Sequence, residues 1–433
     1  MKTSLYNWAV EDDGRMIIFN GATGCMAEVE REHEDTVGPI VAAAPGQVVD
    51  SSRLDPAVLS KLAEGGFLVP DDADERELLR QVMLAPRLST DLSYMCVVPT
   101  TRCNFACPYC TQETESGEDI RPEVEEKILE AIGRSHSSHL SLTFYGGEPL
   151  LIPETCCRIC SRAIEICGAK DVVPNTLLVT NGYLLDEATA IRLRDSGVAH
   201  AQVTIDGNRA YHDGRRVLKD GSATFERIVR NVIIASSHMR IDVRMNVDDD
   251  LHRESWSLYD VEQAFLRCGN VQLHVAPTRW RDDPDATQNN MHCVCHRFPQ
   301  WHFLRKRLEA GVPGCCAVAL GARVVLPDGD FVLCWDEVGT SHPDYGSILS
   351  SPEPDPALRS SWMRWDPYGE EPCKTCRYLP TCRGSCPRDW LETGSPFCEF
   401  RSEGEYIDFI KANYRKRAGQ EGGADSIQPR PAG

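Results

Sequence analysis

From Ser93 to Pro277 the apolar pattern switches repeatedly between short β-branched runs and longer amphipathic stretches. Tyr94–Pro99, Leu140–Phe144, Thr176–Thr180, Ala201–Ile205, Ile241–Val247 and Val271–Val275 read as strands. Pro122–Arg134, Pro153–Cys167, Asp186–Asp195, Phe225–Ser236 and Leu258–Cys268 read as the helices between them. Strands separated by helices pair in parallel, because the crossover returns the chain in the same direction. The expected fold class is α/β. Chemistry in such sheets gathers at the carboxyl ends of the strands.

The flanking segments differ. Residues 1–85 hold three strand-like runs, Leu5–Val10, Met16–Asn20 and Cys25–Glu30, with Asp12-Asp13-Gly14 as a turn. Pro56–Glu64 and Glu75–Met83 read as helices around a short strand at Phe67–Val69, which suggests a winged-helix-like module. Residues 281–314 form a polar connector with one helix, Trp301–Glu309. Residues 315–410 are rich in Cys, Gly and Pro, and 415–433 read as a disordered tail. The 433 residues suit roughly three domains. Forty-six basic against 65 acidic residues leave a net charge of −19, which argues against nucleic acid as a partner. No apolar run reaches the roughly 18 residues of a membrane span, and the start lacks a signal core, so the expected location is cytoplasmic.

The chain has 20 cysteines. In a reducing compartment, cysteines at set spacing are metal ligands or catalytic groups rather than disulfides. Cys103, Cys107 and Cys110 form C-x3-C-x2-C on the loop after the first strand. Thiolates suit iron–sulfur clusters, and three rather than four leave one iron open to a ligand. A zinc site would need a fourth ligand nearby.

Further motifs follow in order: Gly146-Gly147-Glu148-Pro149 after strand two, Thr180-Asn181-Gly182 after strand three, and Thr204-Ile205-Asp206-Gly207 with His212-Asp213 and Arg216 after strand four. With the three-cysteine loop they resemble the radical S-adenosylmethionine (radical SAM) enzymes over residues 93–280. The resemblance implies a partial (β/α)6 TIM-like barrel, with a 4Fe–4S cluster on Cys103, Cys107 and Cys110 whose free iron binds the amino and carboxylate groups of S-adenosylmethionine. Gly146, Gly147, Glu148 and Pro149 would hold the amino group. Asn181, Thr204, Asp206, Arg216 and Asn246 are the other cofactor contacts expected. The chemistry agrees: glycines allow close backbone approach, a carboxylate accepts from an ammonium, and a guanidinium pairs with a carboxylate.

In the C-terminal region, Cys316-x12-Gly329-x4-Cys334 precedes Cys373-x2-Cys376-x5-Cys382-x3-Cys386 and Cys398. This pattern resembles the SPASM extension of radical SAM proteins, which carries two auxiliary clusters and brings the total to three 4Fe–4S clusters. By resemblance, Cys316, Cys334 and Cys386 hold the first auxiliary cluster, with Cys315 as its fourth ligand or the position open. Cys373, Cys376, Cys382 and Cys398 enclose the second. Of the remaining cysteines, Cys156, Cys160 and Cys167 share one helical face and read as core, and Cys25, Cys96 and Cys268 as small apolar fillers. Cys293 and Cys295, beside His296, lie in the connector.

Residues 1–85 resemble the recognition element at the front of maturases of ribosomally made peptides, which adds a leader peptide as a strand at a sheet edge. The implied function is a radical SAM peptide maturase and oxidoreductase. It abstracts hydrogen from a precursor peptide and installs a thioether, C–C or C–O crosslink, with flavodoxin or ferredoxin as electron donor. An anaerobic sulfatase-maturing enzyme, which forms formylglycine, and a structural or regulatory zinc-binding protein are the alternatives.

Overall fold

The computed structural model describes residues 1–112, 117–247, 261, 263–265, 268–278 and 315–420. The expected connector helix, Cys293, Cys295, His296 and most of the Leu258–Cys268 helix lie outside the described residues. The chain divides into two compact units. One combines Met1–Pro86 with the chain from Asp366 onward, and the other joins the chain from Arg87 to Cys315–Trp365. Residues 315–365 and those from 366 onward thus fall in different units.

The first unit opens with β1 (Lys2–Thr3), β2 (Asn7–Asp12), β3 (Arg15–Asn20) and β4 (Met26–Glu28), then α1 (Glu34–Val41), α2 (Pro56–Glu64), β5 (Leu68–Val69) and α3 (Glu75–Leu84). Strands β2, β3 and β4 form an antiparallel meander, and β1 pairs with β5. Asp13 and Gly14 close the first hairpin with φ of 50° and 72°, the backbone that a two-residue turn matched to strand twist demands. Strand alternation then sorts the side chains. Trp8, Val10, Ile17 and Phe19 pack on Phe400, Tyr406, Phe409 and Ile410. Ile18 faces the other way, among Val37, Val41, Leu62 and Phe67.

Helix α1 was not among the helices expected from sequence, and Pro39 lies inside it. It forms because Glu34 and Asp35 suit its first turn and Val37 and Val41 are buried. The chain also continues as a helix over Glu403–Gln420, past Arg415, where sequence alone placed a tail. The Arg415 guanidinium pairs with Asp12 at the end of β2, a partner some 400 residues away that no local pattern reveals.

The second unit contains β6 (Tyr94–Val97), α4 (Pro122–Arg134), β7 (Ser141–Phe144), α5 (Pro153–Gly168), β8 (Asn175–Thr180), α6 (Glu187–Asp195), β9 (His200–Thr204), α7 (Arg209–Asp213), α8 (Phe225–Ala235), β10 (Arg240–Val247), β11 (Val271–Pro277), β12 (Ala322–Val325) and β13 (Phe331–Val332). Strands β6 to β11 are parallel neighbours in chain order, as expected. Helix α4 buries Val124, Ile128 and Ile132 on one stripe. Helix α5 buries Cys156, Ile159, Cys160, Ala163 and Cys167, so these thiols serve as core atoms.

Strand β12 was not expected. It extends the same sheet, pairing in parallel with β6 from Ala322↔Tyr94 to Val325↔Val97, and β13 returns antiparallel beside it. All four residues of β12 are buried, and Gly321 and Pro327-Asp328-Gly329 bound it. The first cysteines of the C-terminal region thus flank a strand of the main sheet. Among the described residues, no helix is long and apolar enough to cross a membrane.

Phe409 is 1% exposed in the aromatic core of the first unit. Phe409→Ala should cost about 3–5 kcal/mol, the usual cost of emptying such a site. Denaturant unfolding followed by tryptophan fluorescence checks this, since Trp8 lies in the same core.

Candidate active site

The motif loops all leave the carboxyl ends of neighbouring parallel strands. The cysteine loop follows β6, and its backbone lies against the Gly-Gly turn that follows β7. The Gly147 amide donates to the Thr100 carbonyl at 3.1 Å and the Glu148 amide to the Arg102 carbonyl at 2.8 Å. A Cβ on Gly147 would lie 2.1 Å from the Arg102 oxygen, and one on Gly146, whose φ is +136°, 2.6 Å from the Thr100 oxygen. The close approach these glycines permit is therefore to the cysteine loop itself. On its other side the loop is held by hydrogen bonds from the Ala106 amide to the Val217 carbonyl and from the Lys219 amide to the Asn104 carbonyl, at 3.0 and 3.1 Å.

Glu148 is fully buried. Its carboxylate accepts from the Leu150 amide at 2.9 Å, the Thr180 hydroxyl at 2.7 Å and the Asn181 amide at 2.7 Å. Burial raises its pKa, and these donors oppose the rise. Through these bonds the carboxylate ties the β7 and β8 loops together. Pro149 is buried and opens a short turn, Pro149–Leu151. Asn181 donates to Asn104 of the cysteine loop at 2.8 Å and accepts from the Tyr183 amide at 2.9 Å.

A residue that sequence reading passed over joins the remaining loops. Tyr109, between Cys107 and Cys110, donates to Asp206 and accepts from Arg216 at 2.6 Å and from Asn246 at 3.4 Å. A phenol between two ligand cysteines was the available signal. Burial raises the pKa of Tyr109 and of Asp206. Burial opposes the charge on Arg216, yet Tyr109, Cys107 and Asp206 hold its pKa well above the ordinary value. Thr204 ends β9, in register with Arg244 of β10. His212 is structural: Nδ1 accepts from the Asp206 amide at 3.2 Å and Nε2 meets the Thr224 hydroxyl at 3.0 Å. Asp213 caps α8 through the Thr224 and Phe225 amides, both at 2.9 Å.

The three thiols of the loop suit a metal cluster. Burial pushes Cys103 up to about 12, with Glu148, Cys107 and Cys110 adding to the rise. Burial also raises Cys107, against the field of Arg216. Thiolates crowded into such a place are stabilised by metal charge, which offsets both desolvation and mutual repulsion.

The other cysteine sets fall in different units. In the first unit, Cys373 packs with Tyr6, Leu79, Met83, Tyr368 and Leu379, and Cys376 and Cys382 border this cluster. Burial pushes Cys373 up to about 12, and Cys376 and Cys398 reinforce it. Cys382 is raised by burial, with Glu399, Cys376 and Cys373 among the contributors. The four cysteines expected to enclose one cluster therefore act on one another. In the second unit, Cys316 follows Cys315 at the start of a short turn, and its thiol donates to the Leu333 carbonyl at 3.6 Å. Cys334 lies close enough to raise the Cys316 pKa. Cys386 belongs to the first unit.

Among the described residues, the only three His, Cys, Asp or Glu ligand atoms within 4.8 Å of one another are those of Glu30, Glu32 and His33.

Residues 97–248 match the Radical SAM superfamily. The chain is 26% identical over 327 residues to the PqqA peptide cyclase of Bradyrhizobium diazoefficiens, covering 66% of this chain and 79% of that protein. It is 28% identical over 137 residues to a GTP 3',8-cyclase of Synechococcus sp., covering 31% of this chain and only 38% of the cyclase. Among solved structures, anSMEcpe with bound AdoMet is similar in fold at a TM-score of 0.58 and 17% identity, over 76% of this chain and 98% of that chain. Streptococcus suis SuiB bound to precursor peptide SuiA is similar at 0.51 and 12% identity, over 93% and 99%.

Gly147→Ala should displace the cysteine loop, because its new methyl would meet backbone rather than a flexible side chain. The expected result is loss of about four irons per chain after anaerobic reconstitution, with the far-ultraviolet circular dichroism kept. Tyr109→Phe should retain the iron and weaken S-adenosylmethionine binding at least about tenfold, since it unlinks Arg216, Asp206 and Asn246 (about 1.4 kcal/mol). Calorimetry with the cofactor reads the second effect.

Proposed function

We propose that this chain, a radical SAM enzyme, installs a crosslink in a ribosomally made precursor peptide. When bound, S-adenosylmethionine on the reduced cluster supplies a 5′-deoxyadenosyl radical able to take hydrogen from an unactivated carbon. The residues of the chain hold and orient. Cys103, Cys107 and Cys110 would carry the cluster. Arg216, held by Tyr109, is the cation available to a carboxylate, and Asn246 and Thr204 line the same strand ends. Glu148 and Asn181 keep the cysteine loop in place. Cys373, Cys376, Cys382 and Cys398 would hold a closed auxiliary cluster suited to electron transfer. Cys316 and Cys334 of the second unit would be ligands of the other.

One observation carries the peptide reading. The front of the chain forms an antiparallel meander in which β4 pairs on one side only among the described strands. The Val29 amide donates to the Met16 carbonyl, so by alternation the Glu28 amide points away from β3, toward any added strand. The 66% overlap with a PqqA peptide cyclase supports this reading. So does a likeness to SuiB, solved with its precursor peptide, over 93% of this chain.

Residues 1–85 share a core with the chain beyond Asp366, so deleting them would unfold more than the module. Glu28→Pro is a gentler test. It removes one outward amide, while Glu28→Ala controls for the lost contacts to Arg15 and Tyr414. Precursor affinity should fall several-fold in Glu28→Pro alone, with S-adenosylmethionine cleavage unchanged. Equal affinity in the two variants refutes leader binding at this edge. Replacing Cys103, Cys107 and Cys110 together by Ala should abolish 5′-deoxyadenosine formation while the fold persists, because the loop lies at the strand ends rather than in the core.

A further inference from the structure

Three arginines of the second unit are buried around the segment that starts at Cys315. Arg87, Arg323 and Arg359 are 1%, 3% and 3% exposed. Arg359 donates through Nη1 to the Ala319 and Leu320 carbonyls at 2.5 and 3.1 Å, and through Nη2 to the Ala322 carbonyl at 2.9 Å. The Ala319 amide in turn donates to the Cys316 carbonyl at 3.2 Å. Arg87 accepts from the Leu320 amide at 2.8 Å, lies 4.6 Å over the Trp365 ring and donates to the Trp365 carbonyl at 2.7 Å. The Arg323 and Arg359 guanidinium groups are thus anchored on the backbone that carries Cys316, and Arg87 meets that backbone through its own carbonyl.

Neutral carbonyls do not balance this charge. Arg323 has the half-exposed Glu353 at 3.4 Å. The hydrogen bonds of Arg359 go to backbone carbonyls, and its Nε is buried without a hydrogen-bond partner. Burial and the nearby Arg323 lower the Arg359 pKa to about 10, so it stays charged at neutral pH. A cation taken out of water needs an anion near it. The neighbouring groups able to provide one are the Glu353 carboxylate, which acts on Arg359 as well as on Arg323, and two thiols that become anionic when they hold metal, Cys316 beside Arg359 and Cys315 beside Arg87. A thiolate-held cluster is anionic and gains one more negative charge on one-electron reduction. Fixed charges around it therefore set its potential.

We propose that Arg359, supported by Arg87, raises the reduction potential of the iron–sulfur cluster held by Cys316 and Cys334 by stabilising its one-electron-reduced form. The inference rests on the reading that these two cysteines hold a cluster. It makes Arg359 a residue that acts through its field on the cluster and not by contact with the peptide. Such a cluster is the better acceptor for the electron left when a crosslink closes.

The test uses the full chain, reconstituted anaerobically with iron and sulfide and titrated with dithionite under electron paramagnetic resonance. The signal of interest is the one missing in Cys334→Ala. Arg359→Met should make that signal at least tenfold harder to reduce, about 59 mV lower for one electron. Arg359→Lys, which keeps the charge, should recover most of the shift. An unchanged midpoint in Arg359→Met with full iron content overturns the proposal and leaves the cluster in place. If Cys334→Ala loses no iron, the ligand reading falls, and the proposal with it. Should Arg359→Met fail to fold, Arg87→Met decides by the same midpoint, a downward shift supporting the proposal and none overturning it.

Discussion

The candidate active site depends on two backbone hydrogen bonds, from the Gly147 and Glu148 amides to the Thr100 and Arg102 carbonyls. They bind the cysteine loop to the turn after the next strand, and they form only where no side chain stands between. Gly147 is the position where the fit is tightest. Glu148 then closes the arrangement from behind by accepting from the β8 loop, so three consecutive strand ends share one polar anchor. Burying a carboxylate this deeply is tolerated because each of its donors is itself fixed. Tyr109 of the same loop meets the buried Arg216, Asp206 and Asn246.

The first unit rests on a different constraint. A three-stranded meander cannot bury both faces by itself. Helices α1 and α2 cover one face, and the helix Glu403–Gln420, from the far end of the chain, covers the other. The segment that carries Cys373, Cys376 and Cys382 lies within the same unit, packed on Tyr6 and α3. A proposed peptide-binding edge and a proposed electron-transfer centre therefore belong to one folded body, although more than 340 residues separate them in sequence.

Burial directs the thiols to different tasks. Cys156, Cys160 and Cys167 lie on a helix face among Ile159 and Ala163, where a thiol is a small apolar group. Cys103, Cys107 and Cys382 are half-buried and Cys373 is buried, but among other thiols and carboxylates. The first setting is satisfied by packing alone. The second is one that metal charge would relieve.

The parallel strands β6 to β11, the hairpin at Asp13-Gly14 and the three-cysteine loop were legible from residue order, because each follows from local chemistry. Period, turn residues and ligand spacing act within about ten residues. Helix α1, strand β12 and the helical course beyond Arg415 were not legible, because each forms against a partner far away in the chain: Ile18 for Val37 and Val41, Tyr94 for Ala322, and Asp12 for Arg415. The roles of Glu148 and Tyr109 were hidden in the same way. Sequence marks a carboxylate and a phenol near a cluster loop, but only the assembled strand ends decide that Glu148 turns inward to clamp two loops while Tyr109 gathers Arg216, Asp206 and Asn246. Local propensity determines which segments become strands and which cysteines have ligand spacing. Long-range packing decides which groups are buried, and with that which way each one faces and what charge it bears.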